Sequence, residues 1–521
     1  MKKTHEQLAA EIEELKKVLL SREHVIELQK REIGYLSQQV AFFKATQYTP
    51  KTEKWKGHPE LFNEAELNAS EDADEVIFET VSNDEASAKR RRPKRKPLPE
   101  AFKRIDEIID LSEAEKICPH TGLPFRRVGE DVSEKLDIIP AVIQVIRTIR
   151  IKYACSCGFD DCKFHIAPVP PQPIPKSNAS PGLLAYIATA KYADHCPLNR
   201  QEEILQRIGC DLPRSTLASW MMRAGELVTP LINLMRDRLL ESPLVFCDET
   251  PVQVHKGSGK RATSKNYMWV QAKWGGIGER IVLYTYDPTR KAEVAKRLFE
   301  GYRGYVQTDG YEGYSGLDHI DGITLVGDWV HVRRKFHDVT KASDKSEKAL
   351  LANFALDRIS EIYAIEKEAK DKSPAEILEI RREKTVPVVE RLKLWADEQR
   401  GKVPPKSLIG KAIQYFLGQR PKLGYFLIDP VVGPDTNVVE NAIRPFAIGR
   451  KNWMFSDTAR GADASANLFS LVITAKANGI DPYSYLKMVF AELPKAEILA
   501  DFERLLPDRF LASQDSTKVN G

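Results

Sequence analysis

Three acidic residues occupy positions from which they could hold divalent metal ions. Asp248 follows the apolar run 244–246, Asp309 follows 305–307, and Glu440 falls on a predicted short helix. Two Mg²⁺ ions ~4 Å apart can activate the attacking oxygen and stabilise the leaving oxygen when a phosphodiester is cleaved. Because Mg²⁺ prefers oxygen ligands, the order strand-Asp, strand-Asp, helix-Glu indicates phosphoryl transfer.

Each of these acids also has an ordinary structural explanation when it is taken alone. Asp248 could cap the turn before Pro251, and Asp309 precedes a glycine, a common turn pair. Glu440 lies four residues before Arg444 and could form a helix ion pair with it. Spacing alone leaves this choice open.

The elements that must position these acids begin near residue 243. Runs of β-branched and aromatic residues predict strands, and strand–helix alternation then predicts a mixed sheet covered by helices. The predicted strands are 242–255, 265–274, 279–287, 303–314 and the start of 322–339, with a helix at 291–302. Residues 341–425 read almost entirely as helix, with breaks at Pro374 and 404–405, and the closing helices are 462–478, 481–492 and 495–506.

The N-terminal part of the chain has a seven-residue apolar repeat over 5–44. A sustained heptad stripe predicts a helix that needs a partner helix, and self-association is the expected use. A helix folded back on its own chain is the alternative. The repeat consists of Ile12, Leu19, Ile26, Ile33 and Val40.

Charge is unevenly distributed although the net charge is only +4. Residues 71–86 hold seven acids and no Lys or Arg, whereas residues 89–97 hold seven bases. The basic run suits contact with phosphate, and a solvated linker is the alternative.

A helix-turn-helix outline lies at 201–228. One helix is predicted to end near Ile208–Gly209, and Ser215 or Thr216 is predicted to cap the second helix. The second helix could lie in the major groove of DNA, or the pair could be an ordinary helical hairpin.

Four of the seven cysteines lie between 118 and 162. A zinc ribbon needs four N or S ligands in two hairpins. The predicted ligands are Cys118, Cys155, Cys157 and Cys162, with His165 or His120 as substitutes. A small metal-free β domain with reduced thiols is the alternative, since disulfides are not expected in a cytosolic chain.

Four segments give the chain a recognisable resemblance. DETPVQV, QTDGYEGY, HVRRKF and ENAIRPFAIGRKNWMFS resemble the signature segments of the insertion-sequence-66 transposase family, and the likeness covers nearly the whole chain. The resemblance implies an RNase H-like core whose acidic triad falls on Asp248, Asp309 and Glu440, with Mg²⁺ or Mn²⁺ as cofactor. It also implies strand cleavage and strand transfer at the ends of an insertion sequence, alongside accessory proteins of that element. Thr121 stands where the family commonly has a second zinc-ribbon cysteine.

Basic residues near the acids are expected to contact DNA phosphates, because basic side chains supply most such contacts. Surface charges or ion pairs are the alternative. The candidates are Arg444, Arg450, Lys451, His331, Arg333 and Arg334. Trp453 could stack on an unpaired base, but a core position is the expectation for this residue type.

The expected fold class is multidomain α+β, with an RNase H-like α/β core interrupted by an all-helical insertion. The expected parts are a coiled-coil helix at 1–47, a linker at 48–98, a zinc-ribbon-like domain at 99–166, a Pro-rich linker at 167–181, a helix-turn-helix-like domain at 182–240, the core at 241–340 and 426–480, the insertion at 341–425, and C-terminal helices at 481–521.

The expected function is therefore that of a DNA transposase acting on terminal repeats and target DNA. Two alternatives are a catalytically inactive DNA-binding derivative and a nuclease that cleaves without joining. No apolar run approaches the roughly 18 residues that cross a bilayer, so a cytoplasmic, nucleoid-associated bacterial protein is expected.

Overall fold

The computed structural model describes residues 143–154, 164–166, 168–256, 265–342 and 347–511, with separate helical positions between 13 and 40. The chain divides into two compact units, Met1–Lys51 with Lys152–Gly521, and Thr52–Ile151. Every strand and helix labelled below belongs to the first unit. Among the described residues, no helix combines the length and the apolar character needed to cross a bilayer. The predicted cysteine ligands, the basic run and the acidic run lie outside the described residues.

Eight strands are described, and six of them form one mixed sheet. The main path of the sheet is β5-β4-β3-β6-β7, and β8 pairs with β3 beyond that path. The strands are β1 (Lys152–Ala154), β2 (Phe164–Ile166), β3 (Leu244–Lys256), β4 (Lys265–Lys273), β5 (Ile281–Asp287), β6 (Gly304–Gln307), β7 (Ile323–Val326) and β8 (Ser456–Thr458). The five core strands predicted from β-branched and aromatic runs are thus confirmed, but the fourth is shorter than predicted: it ends at Gln307, and Glu312–His319 form a 3-10 helix.

The helices fall into three groups along the chain. Before the sheet come α1 (Pro181–Tyr192), α2 (Leu198–Arg207), α3 (Arg214–Leu227) and α4 (Thr229–Leu240). Within and after the sheet come α5 (Ala292–Leu298), α6 (Trp329–Ala342), α7 (Glu347–Ala369), α8 (Pro374–Ile380), α9 (Val386–Arg400) and α10 (Leu408–Leu423). The last group is α11 (Asn437–Trp453), α12 (Ala459–Ala477), α13 (Pro482–Glu492) and α14 (Leu499–Arg504).

The pair α2 and α3 matches the predicted helix-turn-helix outline, with one correction. α2 ends at Arg207, and the left-handed Gly209 (φ 84°) makes the turn, as predicted. α3 begins at Arg214, earlier than predicted, so neither serine nor threonine caps it. The backbone N–H of Arg214 instead donates to the Glu202 carboxylate at 2.9 Å. A side chain from the preceding helix therefore replaces the local cap that the sequence suggested.

Helices α6 to α10 enclose a second hydrophobic core. Trp329 is buried against the rings of Phe416 and Phe426. Its indole N–H donates to the carbonyl oxygen of Leu423 at 3.3 Å. The helical stretch after residue 341 therefore packs on α6 and on the end of β7. The predicted break at Pro374 is the first residue of α8.

Helix α11 is longer than the short helix predicted around Glu440. It runs for 17 residues and continues through Pro445, a residue type that can kink or end a helix. The helix packs across β3, and the Tyr284 hydroxyl donates to the carbonyl oxygen of Ala442 near its middle. Packing against the sheet, with Phe446 fully buried, holds the helix together across the proline.

Helix α12 covers the outer strand β5 and satisfies its backbone with side chains. Side chains four residues apart on a helix are about 6 Å apart, and alternate residues of a strand are about 6.8 Å apart. The two spacings match. Every fourth side chain of α12 therefore forms hydrogen bonds of 2.8–3.3 Å with the backbone of every second residue along β5 and the residue before it. The pairs are Ser470 with Tyr284, Thr474 with Val282, and Asn478 with Arg280.

Candidate active site

Three aspartates lie where the parallel pairing of three neighbouring strands ends. Asp309 and Asp328 follow β6 and β7, and Asp248 lies inside the longer β3, just past its pairing with β6. The strands β3, β6 and β7 run parallel, and one residue of each forms a single row across the sheet. That row is Phe246, Gln307 and Val326. Asp248, Asp309 and Asp328 each follow the row by two residues. Because such ends meet at one edge of a sheet, the strand register alone brings three carboxylates to the same edge.

Asp248 and Asp309 interact electrostatically. Burial and, after it, the charges of Glu249 and Asp309 together raise the pKa of Asp248 to about 8. The N–H of Glu249 donates to Asp248 at 2.7 Å and acts in the opposite direction. A carboxyl so perturbed by burial and like charge is typical of functional sites. A bound cation would relieve the repulsion.

Asp309 is oriented by the turn that follows β6. Its Oδ1 accepts a hydrogen bond from the N–H of Tyr311 at 3.0 Å. Its charge also acts on Arg290 and on His331, raising the pKa of each. Asp309 therefore lies between β3 and the helix α6.

Glu249 faces away from Asp248, since successive side chains of a strand point to opposite faces. Its side chain is fully buried, forms an ion pair with Arg290 and accepts a hydrogen bond from the Tyr314 hydroxyl. The Arg290 guanidinium lies 3.5 Å from the ring centroid of Tyr311. Glu249 is thus a structural acid that fixes the segments around Asp248 and Asp309.

Asp328 directly precedes helix α6, and its side chain contacts His331, the third residue of that helix. Its Oδ1 accepts from the N–H of Val330 at 2.9 Å, and its Oδ2 contacts Nδ1 of His331. Burial acts to lower the pKa of His331, but the Asp328 carboxylate and the charge of Asp309 raise it overall. His331 also acts on Asp248, lowering its pKa. The imidazole therefore lies within reach of both strand aspartates.

Glu440 is brought to this group by the first turn of α11. One ligand atom each from Asp328, His331 and Glu440 lie within 4.8 Å of one another. Nη2 of Arg334 lies 3.5 Å from Oε1 of Glu440. The structure thus groups Asp248 with Asp309, and Glu440 with His331, while His331 interacts with both strand aspartates.

The segment before α11 is tied to the end of the sheet. Nε2 of the buried Gln307 donates to the carbonyl oxygen of Gly433 at 2.9 Å. The N–H of Trp329 donates to the carbonyl oxygen of Pro434 at 3.0 Å. Asp435 then accepts from the N–H of Asn437, the first residue of α11, at 3.1 Å.

The predicted DNA-contacting residues have different surroundings. Nη1 of Arg450 donates to Oγ1 of Thr250 at 3.2 Å and to the carbonyl oxygen of Pro251, so it joins α11 to β3. Lys451 is exposed beside it, and Arg444 is half-buried on α11. On α6, Arg333 and Arg334 are half-buried.

Trp453 packs partly buried against the main core. Its ring centroid lies 6.4 Å from that of Phe446 and 5.8 Å from that of Phe469. The expectation of a core position for Trp453 is therefore confirmed.

Sequence reasoning missed two parts of this site. Asp328 follows the apolar run Ile323–Val326 as the other two aspartates follow theirs, so that signal was available. The pairing of Glu249 with Arg290 had no signal, because 41 positions separate the two residues.

The strands β1 and β2 bracket the segment with three of the predicted zinc ligands. They pair antiparallel, with Tyr153 opposite His165. The segment between the two strands, residues 155–163, lies outside the described residues.

Comparison with known proteins matches this chain to one family over several segments. A model described as "Transposase IS66 family" matches residues 176–464. Models described as "zinc-finger binding domain of transposase IS66" and "IS66 C-terminal element" match residues 115–158 and 470–507. A model described as "Transposase C of IS166 homeodomain" matches residues 35–106.

Two relatives from Sinorhizobium fredii (strain NBRC 101917 / NGR234) resemble the chain over most of their length. The uncharacterized protein y4qI is 32% identical over 522 residues, covering 96% of this chain and 92% of the relative. The uncharacterized protein y4jD is 30% identical over 524 residues, covering 98% of each. With the family model spanning more than half of the sequence, the chain belongs to the IS66 transposase family.

Proposed function

We propose that the chain is an active DDE transposase that cleaves and joins DNA strands at the ends of an insertion sequence. The observation that carries this proposal is the register of three strands paired in parallel, which puts Asp248, Asp309 and Asp328 each two residues beyond one row across the sheet. Such a row offers several carboxylate oxygens at one rigid edge, next to Glu440. Phosphodiester cleavage by two metal ions needs this kind of donor set.

The sheet supports an RNase H-like core. Three antiparallel strands, β5-β4-β3, continue into two parallel strands, β6 and β7. In this arrangement β3 and β6, the first and fourth strands of the sheet along the chain, are neighbours. They carry Asp248 and Asp309. Helix α11, which packs on β3 and β4, delivers the third.

The residues fit a divalent cation. Asp248, Asp309 and Glu440 would hold Mg²⁺ or Mn²⁺, since hard oxygen ligands suit both ions. A bound metal would polarise the phosphate and stabilise charge on the attacking and leaving oxygens. Glu249, Arg290 and Gln307 hold the segments that carry these acids, so the carboxylates meet the DNA in a fixed arrangement.

Contacts with DNA fall to several surfaces in this proposal. Arg333, Arg334, Arg444 and Lys451 flank the acids and would neutralise phosphates, as would the basic run 89–97. Helix α3 would serve as a recognition helix, because its buried face carries Leu217, Trp220 and Met221 and its first residues are exposed. A zinc ribbon built from Cys118, Cys155, Cys157 and Cys162 would add a further DNA-binding module.

Self-association through the N-terminal helix is part of the proposal. The heptad residues Ile26, Ile33 and Val40 are helical and at least half exposed. An exposed apolar heptad stripe is the pattern that pairs with a second helix. Two copies of the chain would then hold two element ends together for joining.

The direct test is incubation of the purified protein with Mg²⁺ and labelled duplexes that carry the ends of its element. We expect cleaved and joined products from the wild-type chain. Asp309→Asn should reduce cleavage by more than about 100-fold, since even groups that only orient a metal ligand cost 10–100-fold. DNA binding by this variant, measured by mobility shift, should stay within about twofold, because base and phosphate contacts lie elsewhere.

Asp321→Asn is the matched control. Asp321 precedes β7 and its side chain is 96% exposed, so the same chemical change there should leave cleavage intact. Binding without cleavage by the wild type would identify an inactive DNA-binding derivative. Hydrolysis without joining would identify a nuclease, and equal loss of binding and cleavage in Asp309→Asn would contradict the ligand role.

A further inference from the structure

Arg334 lies between His331 and Glu440 and contacts both side chains. Its Nη1 lies 3.4 Å from Nε2 of His331, one turn earlier on α6. Its Nη2 lies 3.5 Å from Oε1 of Glu440 on α11. One guanidinium therefore occupies the space between an imidazole nitrogen and a carboxylate oxygen.

His331 is oriented as histidines that bind metals commonly are. Its Nδ1 is in contact with the fully buried carboxylate of Asp328, which fixes the ring. Its Nε2 lies beside the same guanidinium that contacts Glu440, and one ligand atom from each of Asp328, His331 and Glu440 lies within 4.8 Å of the others. A carboxylate that holds one ring nitrogen while the other binds a metal is a recurrent arrangement.

We infer that the Arg334 guanidinium stands in for a divalent cation that His331 and Glu440 bind, with Asp328 orienting the imidazole. This inference rests on the proposed function, because the same cation would serve the DDE chemistry. A guanidinium has only donors, so it satisfies the same acceptor atoms that a metal ion would. Metal binding at this position requires that Arg334 turn away.

The contacts of Arg334 are suited to such an exchange. Both exceed the 2.7–2.9 Å typical of strong charge-assisted hydrogen bonds. The Arg334 side chain is 43% exposed, so a route into solvent is open to it. A site with an imidazole and carboxylates accepts Mn²⁺ readily, which makes Mn²⁺ a suitable probe.

The test is a titration of the full-length, metal-free protein with Mn²⁺ in the absence of DNA. The electron paramagnetic resonance signal of the unbound ion measures how much Mn²⁺ has bound. Arg334→Met should bind Mn²⁺ about tenfold more tightly, because the competing cation no longer limits the binding-competent population. Arg334→Lys, which keeps a charge that reaches the same space, should stay nearer to wild type. His331→Asn and Glu440→Gln should each weaken binding by about tenfold or more.

Lys335→Met is the matched control. Lys335 is exposed on the same helix and its Nζ lies 5.5 Å from the Tyr415 ring centroid, so its loss removes an equal charge without opening the site. An equal gain in Lys335→Met and Arg334→Met would overturn the inference, since net charge alone would explain it. So would unchanged affinity in a folded Arg334→Met protein while Glu440→Gln still weakens binding. Unchanged Mn²⁺ affinity in both Glu440→Gln and Asp309→Asn would instead contradict the proposed function itself.

Discussion

Gln307, at the end of β6, is hydrogen-bonded to the backbone of Gly433, 126 positions later, with 2.9 Å between its Nε2 and the carbonyl oxygen. The same Nε2 also donates to the carbonyl oxygen of Gly327 at 3.2 Å. One buried amide therefore joins the strand that presents Asp309 to the segment that leads into Glu440. The separation between the two acids depends on this side chain.

Replacement of Gln307 by Met should impair cleavage more than it impairs folding. Methionine fills a similar volume but donates no hydrogen bond, so the carbonyls of Gly327 and Gly433 lose a donor. We expect a loss of about 1–3 kcal/mol in the free energy of unfolding and a fall of at least tenfold in cleavage rate. Urea unfolding and the cleavage assay would measure the two effects.

Gln271→Met is the control for this prediction. Gln271 lies on β4, is equally buried, and donates to the carbonyl oxygen of Leu298 at 3.2 Å. The Gln271→Met variant should lose a similar free energy of unfolding but keep its cleavage activity. Equal loss of activity in both variants would show that stability, not the position of Glu440, governs the rate.

Asp435 should make the protein more stable in acid than at neutral pH. Burial, Asp328 and Glu440 raise its pKa from 3.8 to about 6, against the opposing hydrogen bonds from Asn437 and Tyr363. As pH rises above about 4, Asp435 ionises in the unfolded chain but stays protonated in the folded one. The free energy of unfolding therefore falls until about pH 6, where the folded protein ionises too, and then levels off. The shift corresponds to about 2–3 kcal/mol.

Asp435→Asn removes the charge and keeps an acceptor for the Asn437 N–H. In metal-free buffer its advantage in free energy of unfolding over wild type should be about 2–3 kcal/mol larger at pH 8 than at pH 4. Urea unfolding at the two pH values would measure it. An advantage independent of pH would count against a buried, ionised Asp435.

Gly225 sits where α3 and α12 touch most closely. A Cβ atom at this position would lie 2.6 Å from the Cα of Ala464, and backbone cannot yield as a flexible side chain can. Gly225→Ala should therefore cost about 2–3 kcal/mol in the free energy of unfolding. Chemical unfolding of the purified variant would measure the loss.

Gly418→Ala is the opposite case in another helix. Nothing lies within 4 Å of a Cβ atom at Gly418, which is inside α10. Alanine there should stabilise the protein by about 0.5–1 kcal/mol through its higher helix propensity. If both glycine variants changed stability alike, close helix contact would not be the cause at Gly225.

Zinc content tests the cysteine-rich segment. We expect about one zinc per chain after mild purification, because structural sites hold the metal tightly. Cys118→Ser should lower that content, whereas Cys210→Ser, at a half-buried free thiol outside the segment, should not. Less than about 0.3 zinc per wild-type chain would remove the zinc ribbon from the proposal.

Local patterns sufficed to predict the strands and to place Asp248 and Asp309 beside two of them. The run Leu244–Phe246 before Asp248, and the run before Asp309, are continuous stretches whose side chains suit a buried strand. Most core helices were found for the same reason, since their apolar periodicity is local. The short helix predicted around Glu440 is longer in the structure, because packing of α11 on the sheet outweighs the cost of Pro445.

The support of the site could not be predicted in this way. The contact of Arg450 with Thr250 joins residues 200 positions apart, and no local pattern encodes it. The cap of α3 likewise comes from Glu202, 12 positions before the N–H that it accepts. Such contacts depend on how the helices and strands pack, so single-sequence reasoning finds the acids more readily than what holds them.

The hydroxyl and amide groups of α12 that bond to β5 have a consequence for assembly. An unprotected outer strand can recruit a strand from another molecule and start aggregation. Ser470, Thr474 and Asn478 already bond to backbone groups of Tyr284, Val282 and Arg280. These groups are therefore not open to pairing with a strand from another molecule. This side of the sheet is therefore a poor place for two copies of the chain to join strand to strand.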